Sequence, residues 1–303
     1  MKQSYPQWLV ELRTRFGDQR VLLGESLAKY CNWRIGGPAD VLVICQNTTE
    51  LCFAIRLAIK HQTPYTILGF GANVLVSDKG IRGLVIINRA QRIEFLPEAV
   101  VEADSGTNLA VLAKSCAQQG IAGCEFLIGI PGTIGAAVTV NAGTRDEWIS
   151  SIIKEVSILD DCGEKQWIKA SDISFSYRHS SLKEQEAVVL CSRLQGVIAD
   201  PQTIEEKMTT QLQVRKNQPT GPSAGSVFKN PAGDFAGRLI EESGLKGKQI
   251  GGAQISPKHA NFIININNAK ACDVQALIEL SRQVVFEQYG IRLEEEISYL
   301  GEW

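Results

Sequence analysis

The sequence predicts a mixed fold of helices and short strands spread over two or three domains. Three observations lead there. The chain has 303 residues, more than one small domain needs. The segment PYTILGFGANVLVSDKGIRGLVII (64–87) reads as strand, glycine turn, strand, turn, strand. Near the end, DVQALIELSRQVVFEQYG (273–290) has helical periodicity and runs into an alternating strand, IRLEEEISYL (291–300).

The totals narrow the classes. With 44% hydrophobic and 21% charged residues the composition is that of a soluble globular protein. A net charge of −2 gives no electrostatic footprint for nucleic acid. The absence of an apolar run of about eighteen residues argues against a membrane span. The first residues, MKQSYPQWLVELRTRFG, read as a short amphipathic helix rather than a signal peptide. Eight cysteines occur without a C-x-x-C, several in apolar runs such as VLVIC, as expected for reduced, buried thiols of a cytoplasmic protein. His61, His179 and His259 are not spaced as ligands, so no metal site is expected.

In order along the chain, Gly36-Gly37-Pro38 marks a turn before the buried strand VLVIC, and Thr48 and Thr49 are candidate caps of a helix over about 50–61. Gly69-Phe70-Gly71 is not a dinucleotide fingerprint, because the third glycine position is Val74 and a strand follows. It is either a plain turn or a turn whose N–H groups, with Asn73, make an anion nest. Two short strands flank Pro97, and Gly106 leads into a helix over about 107–118. The stretch GIPGTIGAAVTVNAG (129–143) has four glycines and no charge. Such backbone suits either a tight buried turn before a short helix or a close approach to a flat or phosphate-bearing ligand. A hairpin follows over 158–168, then the polar segment SFSYRHSSLK (174–183) and the strand AVVLCS. Composition shifts near residue 200, where a charged helix is expected to open a new domain. A second glycine-rich segment carries Ser223, Ser226, Lys229 and Asn230; a helix over about 235–243 and the strand HANFIININ precede the long helix, with Asp273 as its expected N-cap.

Eight segments add a family signal. They are WRIGGPAD (33–40), GFGANVLVSDKGIRGLVI (69–86), GIPGTIGAAVTVNAG (129–143), YRHSSLK (177–183), PSAGSVFKNP (222–231), AGRLIEESGLKG (236–247), GGAQISPKHANFIIN (251–265) and GIRLEEEISYLG (290–301). In this order they resemble the UDP-N-acetylenolpyruvoylglucosamine reductase (UDP-N-acetylmuramate dehydrogenase) family, in its compact subtype. The resemblance implies an α+β fold: a two-lobed FAD-binding domain of the vanillyl-alcohol oxidase (PCMH) type and a C-terminal α/β substrate domain. The expected boundaries are an N-terminal helix over 1–20, lobes over 21–88 and 89–199, and a substrate-binding domain over 200–303. The chain departs from the family pattern at Ala72, where serine is frequent, at Gly135-Ala136-Ala137, and at Thr144-Arg145-Asp146. Loss of a serine hydroxyl at 72 would weaken cofactor binding by about 0.5–1.5 kcal/mol.

By the same resemblance the protein is a cytoplasmic monomer that binds FAD tightly but not covalently. It uses NADPH as reductant and reduces an enolpyruvyl UDP-sugar in peptidoglycan precursor synthesis. The cofactor residues implied are Gly69, Phe70, Gly71, Ala72, Asn73, Gly106, Gly132, Thr133, Asn141, Ala142 and Gly143. Ser226 is the implied proton donor, Arg178 the carboxylate stabiliser and Glu296 a second polarising group, with a raised pKa if it donates a hydrogen bond. Strand alternation places Glu294 on the same face as Glu296 and does not choose between them. Tyr177, Lys229, Asn230 and His259 are implied substrate contacts. Two rivals stand beside this reading. An alcohol or sugar oxidase of the same flavin fold often tethers its flavin through a histidine, which the glycine-rich segments lack. The other is a non-catalytic nucleotide-binding module.

Overall fold

The structure, a computed structural model, describes residues 6–185, 187–216 and 218–303. The main helices are α1 (Gln7–Phe16), α2 (Thr48–Lys60), α3 (Leu109–Gln118), α4 (Ile134–Thr139), α5 (Pro201–Arg215), α6 (Ala236–Glu242) and α7 (Ala271–Tyr289). The main strands in the first half are β1 (Val21–Ser26), β2 (Pro38–Cys45), β3 (Tyr65–Leu68), β4 (Val74–Val76), β5 (Ile81–Asn88), β6 (Ile93–Leu96) and β7 (Val100–Asp104). In the second half they are β8 (Ile153–Leu159), β9 (Lys165–Lys169), β10 (Val188–Gln195), β11 (Gln249–Ile250), β12 (Ala253–Ile255), β13 (Ile263–Asn265) and β14 (Ser298–Leu300). Residues 1–5 of the expected N-terminal helix lie outside the described residues.

Helix starts follow short polar side chains, though not always the expected ones. Asn47, not Thr48 or Thr49, caps α2 by accepting the Glu50 N–H at 2.9 Å. Asn108 accepts the N–H groups of Ala110 and Val111, which starts α3 two residues later than expected. Asp200 caps α5 through the Thr203 N–H at 3.0 Å. The long helix α7 begins two residues before Asp273. Its first N–H groups, on Ala271 and Cys272, go to the carboxylate of Asp78 at 2.9 and 3.1 Å, and Asp273 instead accepts the Lys270 N–H at 3.0 Å. A cap borrowed from a distant turn satisfies the same orphan donors and carries the charge that the helix dipole favours. Gly290, in left-handed backbone with φ 67°, ends α7 as expected.

The chain falls into two compact units. The first holds Met1–Leu22, Leu42–Gly69 and Ile86–Lys216; the second holds Leu23–Val41, Phe70–Val85 and Asn217–Trp303. These units are discontinuous, whereas the boundaries expected from sequence are linear. Helix α5, expected to open the C-terminal domain, lies in the first unit. Its Ile204 is 1% exposed and its Met208 packs on that unit's core, so buried apolar contacts override the composition shift. One four-stranded sheet has the order β1-β2-β5-β3.

In the first unit an antiparallel sheet has the order β9-β8-β10-β7-β6. Glu94, Glu102, Arg193 and Glu155 stand opposite one another across β6, β7, β10 and β8. Arg193 bonds Glu102 at 2.8 Å and Glu155 at 2.5 Å, which pins the register. α3 and α4 contribute Leu112, Cys116, Ile134 and Val138 to the core on which this sheet packs.

The second unit gathers an antiparallel sheet of order β11-β12-β13, helices α6 and α7, and the parallel pair β4–β14. The expected strand over 291–300 is shorter than its alternation implies: only Ser298–Leu300 is regular strand, preceded by a single bridge between Phe228 and Glu295. Trp33 sits at the centre of this core, fully buried, and its indole N–H donates to the Ile263 carbonyl at 2.7 Å. Trp33→Phe keeps most of the apolar contact but leaves that carbonyl without its donor. It should destabilise the protein by about 1–3 kcal/mol, read from the denaturant midpoint.

Candidate functional site

Each unit brings some of the expected residues together. In the first, Gly69 lies against Thr133 so closely that a β-carbon on it would stand 2.7 Å from the threonine methyl. Thr133 caps α4, accepting the Ala136 N–H at 3.4 Å, so the 129–143 stretch is a tight turn running into a short helix. The turn is stitched to the segment after Gly106. Leu109 donates to the Gly132 carbonyl at 3.2 Å and Ile134 to the Thr107 carbonyl at 3.0 Å. A β-carbon on Gly106 would lie 2.6 Å from the Ala90 carbonyl, so the backbone there admits only glycine without movement. Gly132 is different. Its φ is +137° and nothing lies within 4 Å of where its β-carbon would be, so its surroundings are open on that side.

The end of this stretch meets the segment that carries Arg178. Asn141 donates through Nδ2 to the Ser176 carbonyl at 3.0 Å and accepts the Ser150 N–H at 3.3 Å. Arg178 donates through Nη1 to the Gly143 carbonyl at 3.4 Å, and its guanidinium lies 5.3 Å from the Tyr177 ring centroid. Tyr177 stands edge-on to Trp148 at 5.9 Å. Both Asn141 (φ 46°) and Arg178 (φ 57°) hold left-handed backbone, a conformation that non-glycine residues keep only when their surroundings impose it.

Sequence reasoning missed Arg215. It closes helix α5, and its side chain lies where a β-carbon on Gly129 would be, 2.5 Å from Arg215 Cδ. Burial lowers its pKa, and the neighbouring positive charge of Arg178 lowers it further. Two guanidinium groups of the same unit thus stand near each other, an arrangement that favours an anion beside them. In the sequence, Arg215 looks like any cation at the end of a charged helix. Only the demand for glycine at 129 hints at it.

In the second unit the turn after Phe70 is held by its carbonyl groups. The Gly71 carbonyl accepts the Asn32 N–H and the Asn73 carbonyl accepts the Ser298 N–H, each at 3.0 Å. Among the described residues the N–H groups of Gly71, Ala72 and Asn73 donate to no protein acceptor. Gly71 has φ +58°, and a β-carbon there would lie 2.4 Å from the Tyr30 carbonyl.

The Ser226 segment runs beside the Glu296 segment in this same unit. Glu296 donates its N–H to the Val227 carbonyl at 2.7 Å, and Lys229 donates its N–H to the Glu294 carbonyl at 2.8 Å. Asn261, 4% exposed, clamps the same strand: its side-chain amide bonds both the N–H and the carbonyl of Phe228, at 2.9 and 2.8 Å, while its own carbonyl accepts the Val227 N–H at 2.9 Å. Three successive glutamates take different surroundings. Glu294 is exposed and pairs with Lys229 at 3.3 Å, Glu295 pairs with Arg282 at 3.2 Å, and Glu296 is half-buried beside the Ser226 strand. Asn230 accepts the Ala236 N–H at 3.1 Å and so supports the start of α6. His259 accepts the Asn261 N–H at Nδ1, 3.2 Å away, and burial lowers its pKa.

The backbone fits FAD. A diphosphate-bearing cofactor needs N–H donors without protein acceptors, on loops too tight for side chains. The 71–73 turn of the second unit supplies three such donors, with Gly71 too tightly placed for a side chain.

Comparison with known proteins decides the family. A relative from Moorella thermoacetica, named UDP-N-acetylenolpyruvoylglucosamine reductase, is 42% identical over 294 residues, which is 96% of this chain and 97% of that protein. The chain belongs to the UDP-N-acetylenolpyruvoylglucosamine reductase family. A second reductase of that name, from Alkaliphilus oremlandii, is 40% identical over 93% of this chain and 94% of its own. The crystal structure of the Thermus caldophilus reductase matches with a TM-score of 0.80 at 35% identity, over 92% of this chain and 98% of that one. Family models for an FAD binding domain and for the C-terminal domain of the reductase match residues 39–169 and 216–300. The protein is therefore a reductase-family flavoprotein with the α+β class expected, an FAD-binding domain of the PCMH type followed by the family's C-terminal domain.

Two outcomes follow for the reductase site. Gly71→Ala combines left-handed strain with a backbone collision and should lower both stability and the FAD content of the purified protein, measured by thermal denaturation and by flavin released per chain. For His259, a folded pKa below the unfolded value means that the unfolded chain binds the proton first as pH falls. Its contribution to stability is full above the ordinary histidine pKa and is lost on acidification below it. Urea midpoints at pH 7 and pH 5 should differ less in His259→Gln than in the wild type.

Proposed function

We propose that this protein reduces the enolpyruvyl ether of UDP-N-acetylglucosamine to UDP-N-acetylmuramate, a step of peptidoglycan precursor synthesis. The single observation that carries the reading is the pairing of the Ser226 and Glu296 segments through the 2.7 Å Glu296–Val227 hydrogen bond, in a chain 42% identical to a named reductase. NADPH is the reductant, and one pocket serves it and the substrate in turn. The protein works as a cytoplasmic monomer. Among the described residues no helix is long and apolar enough to cross a membrane. In functional terms the proposal assigns flavin lobes to 21–88 and 89–199 and substrate binding to 200–303.

FAD, when bound, would supply the hydride that the methylene carbon of the enol ether takes up, NADPH being the source of reducing equivalents. Gly69 to Asn73, Gly106, Gly132, Thr133 and Asn141 to Gly143 hold it through backbone groups. Ala72 offers no hydroxyl, so the N–H groups of that turn carry the contact. Negative charge then develops on the carbon that bears the substrate carboxylate. Arg178 stabilises it with a planar, two-pronged donor set, and its raised local positive potential is shared with Arg215. Ser226 delivers the proton to that carbon. A serine hydroxyl is a weak acid, so delivery relies on the strong basicity of the enolate and on neighbours such as Lys229, with Glu296 as second polarising group. Glu294, which is exposed and paired with Lys229, is not assigned this role. Tyr177, Lys229, Asn230 and His259 contact the substrate. His259 does so as a neutral ring, since its Nδ1 already accepts a hydrogen bond and its Nε2–H is left to donate.

The half-reactions separate these roles. Ser226→Ala should leave flavin bleaching by NADPH nearly intact and slow reoxidation by the enolpyruvyl sugar nucleotide by about 10²- to 10⁴-fold, followed by stopped-flow absorbance. Equal loss in both halves would show that Ser226 is not the proton donor. A colourless protein that cannot be reconstituted with FAD would instead favour a nucleotide-binding module without catalysis.

A further inference from the structure

The segment from Glu294 to Leu300 changes partner half-way along. β14 pairs in parallel with β4, Ser298 opposite Val74 and Leu300 opposite Val76. The ladder includes the Ser298 N–H to the Asn73 carbonyl at 3.0 Å and the Ser77 N–H to the Leu300 carbonyl at 2.9 Å. Continued one step upstream, a regular parallel ladder would join the Asn73 N–H to the Glu296 carbonyl and the Glu296 N–H to the Gly71 carbonyl. Neither bond forms. The Glu296 N–H turns to Val227, and the Gly71 carbonyl accepts from Asn32. The Glu296 carbonyl is taken by the side chain of Asn73, through Nδ2 at 3.0 Å. The amide of Asn73 stands in for its own backbone N–H.

We infer that Asn73 is a positioning residue that fixes the Glu296 backbone with its side chain and thereby releases the N–H of residue 73 to an anionic group of the cofactor. The inference rests on the function proposed above. Glu296 is then held on both sides: its N–H binds the carbonyl next to Ser226, and its carbonyl binds the cofactor turn. The residue type matters. An ionised aspartate has the shape of asparagine but no donor, and alanine or serine lacks the reach or the amide geometry. Without the side-chain donor, the backbone N–H of residue 73 is the nearest group able to satisfy the Glu296 carbonyl. Taking it would extend the parallel ladder and withdraw a donor from the cofactor.

The test compares wild-type holoenzyme with Asn73→Asp, Asn73→Gln, Glu296→Gln and the Asn73→Asp/Glu296→Gln double variant, all at saturating FAD. Amide hydrogen exchange across residues 294–297 should quicken about tenfold in Asn73→Asp and less in Asn73→Gln, which keeps the donor. At saturating FAD, reoxidation by the enolpyruvyl sugar nucleotide should slow about tenfold in Asn73→Asp and FAD should be retained less tightly, with Asn73→Gln nearer wild type in both. The double variant should be no slower than Glu296→Gln alone. Unchanged exchange, or losses that multiply in the double variant, overturn the inference. FAD loss in Asn73→Gln as large as in Asn73→Asp also overturns it, because the side-chain donor would then not be what frees the N–H of residue 73. If Glu296→Gln itself reoxidises at the wild-type rate, the proposed role of Glu296 fails, and the exchange comparison still decides whether the Asn73 amide fixes that backbone.

Discussion

The second unit depends on one backbone position where a strand changes neighbours. At Glu296 the N–H faces the Ser226 strand and the carbonyl faces the 71–73 turn. A backbone that must satisfy two partners in opposite directions has little freedom to rotate, since each buried polar group left without a partner costs about 1–3 kcal/mol. Asn261 reinforces the arrangement from behind by binding both polar groups of Phe228. The backbone at Ser226 and Glu296 is thus set by main-chain bonds and a buried amide.

Much of this arrangement could be read from sequence, with clear limits. Several elements were legible from local chemistry: the charged helix that opens near residue 200, the long helix that runs to residue 290, and the glycine-rich stretch that suits a tight turn before a short helix. The α2 and α3 caps were missed by one or two residues to neighbouring asparagines, whereas the larger misses come from partners remote in sequence. Asp78 starts α7 from almost two hundred residues away, so the nearest acidic residue, Asp273, looked like the cap. Residues 291–297 alternate like a strand, yet most of them have no regular ladder, because the segment divides its bonds between two neighbours. The same division separates Glu294 from Glu296, which alternation alone treats as equivalent. Helix α5 carries so much charge that the buried Ile204 and the core-packed Met208 gave no signal that it belongs with the first unit.

The first unit shows why a glycine-rich, uncharged stretch sits beside strongly charged residues. Gly69, Gly106 and Gly129 leave room for Thr133, the Ala90 carbonyl and Arg215 respectively, so each is fixed by a neighbour rather than by the cofactor. Gly132, by contrast, has open space and a φ of +137°. Charge enters this unit's site through Arg178 and Arg215. Burial and the neighbouring charge of Arg178 both lower the Arg215 pKa, so a negative group beside the two would be favoured.

The core of the second unit draws Trp33, Ile35 and Leu75 together with residues from Ala224 to Ile297. During synthesis those early residues leave the ribosome long before their partners exist. The first unit's last segment must be made before the second unit's third segment begins. Vectorial folding of the second unit is therefore impossible. Its core closes only when the final stretch arrives, which makes its assembly a late, long-range event and leaves Trp33 and its neighbours dependent on other cover until then.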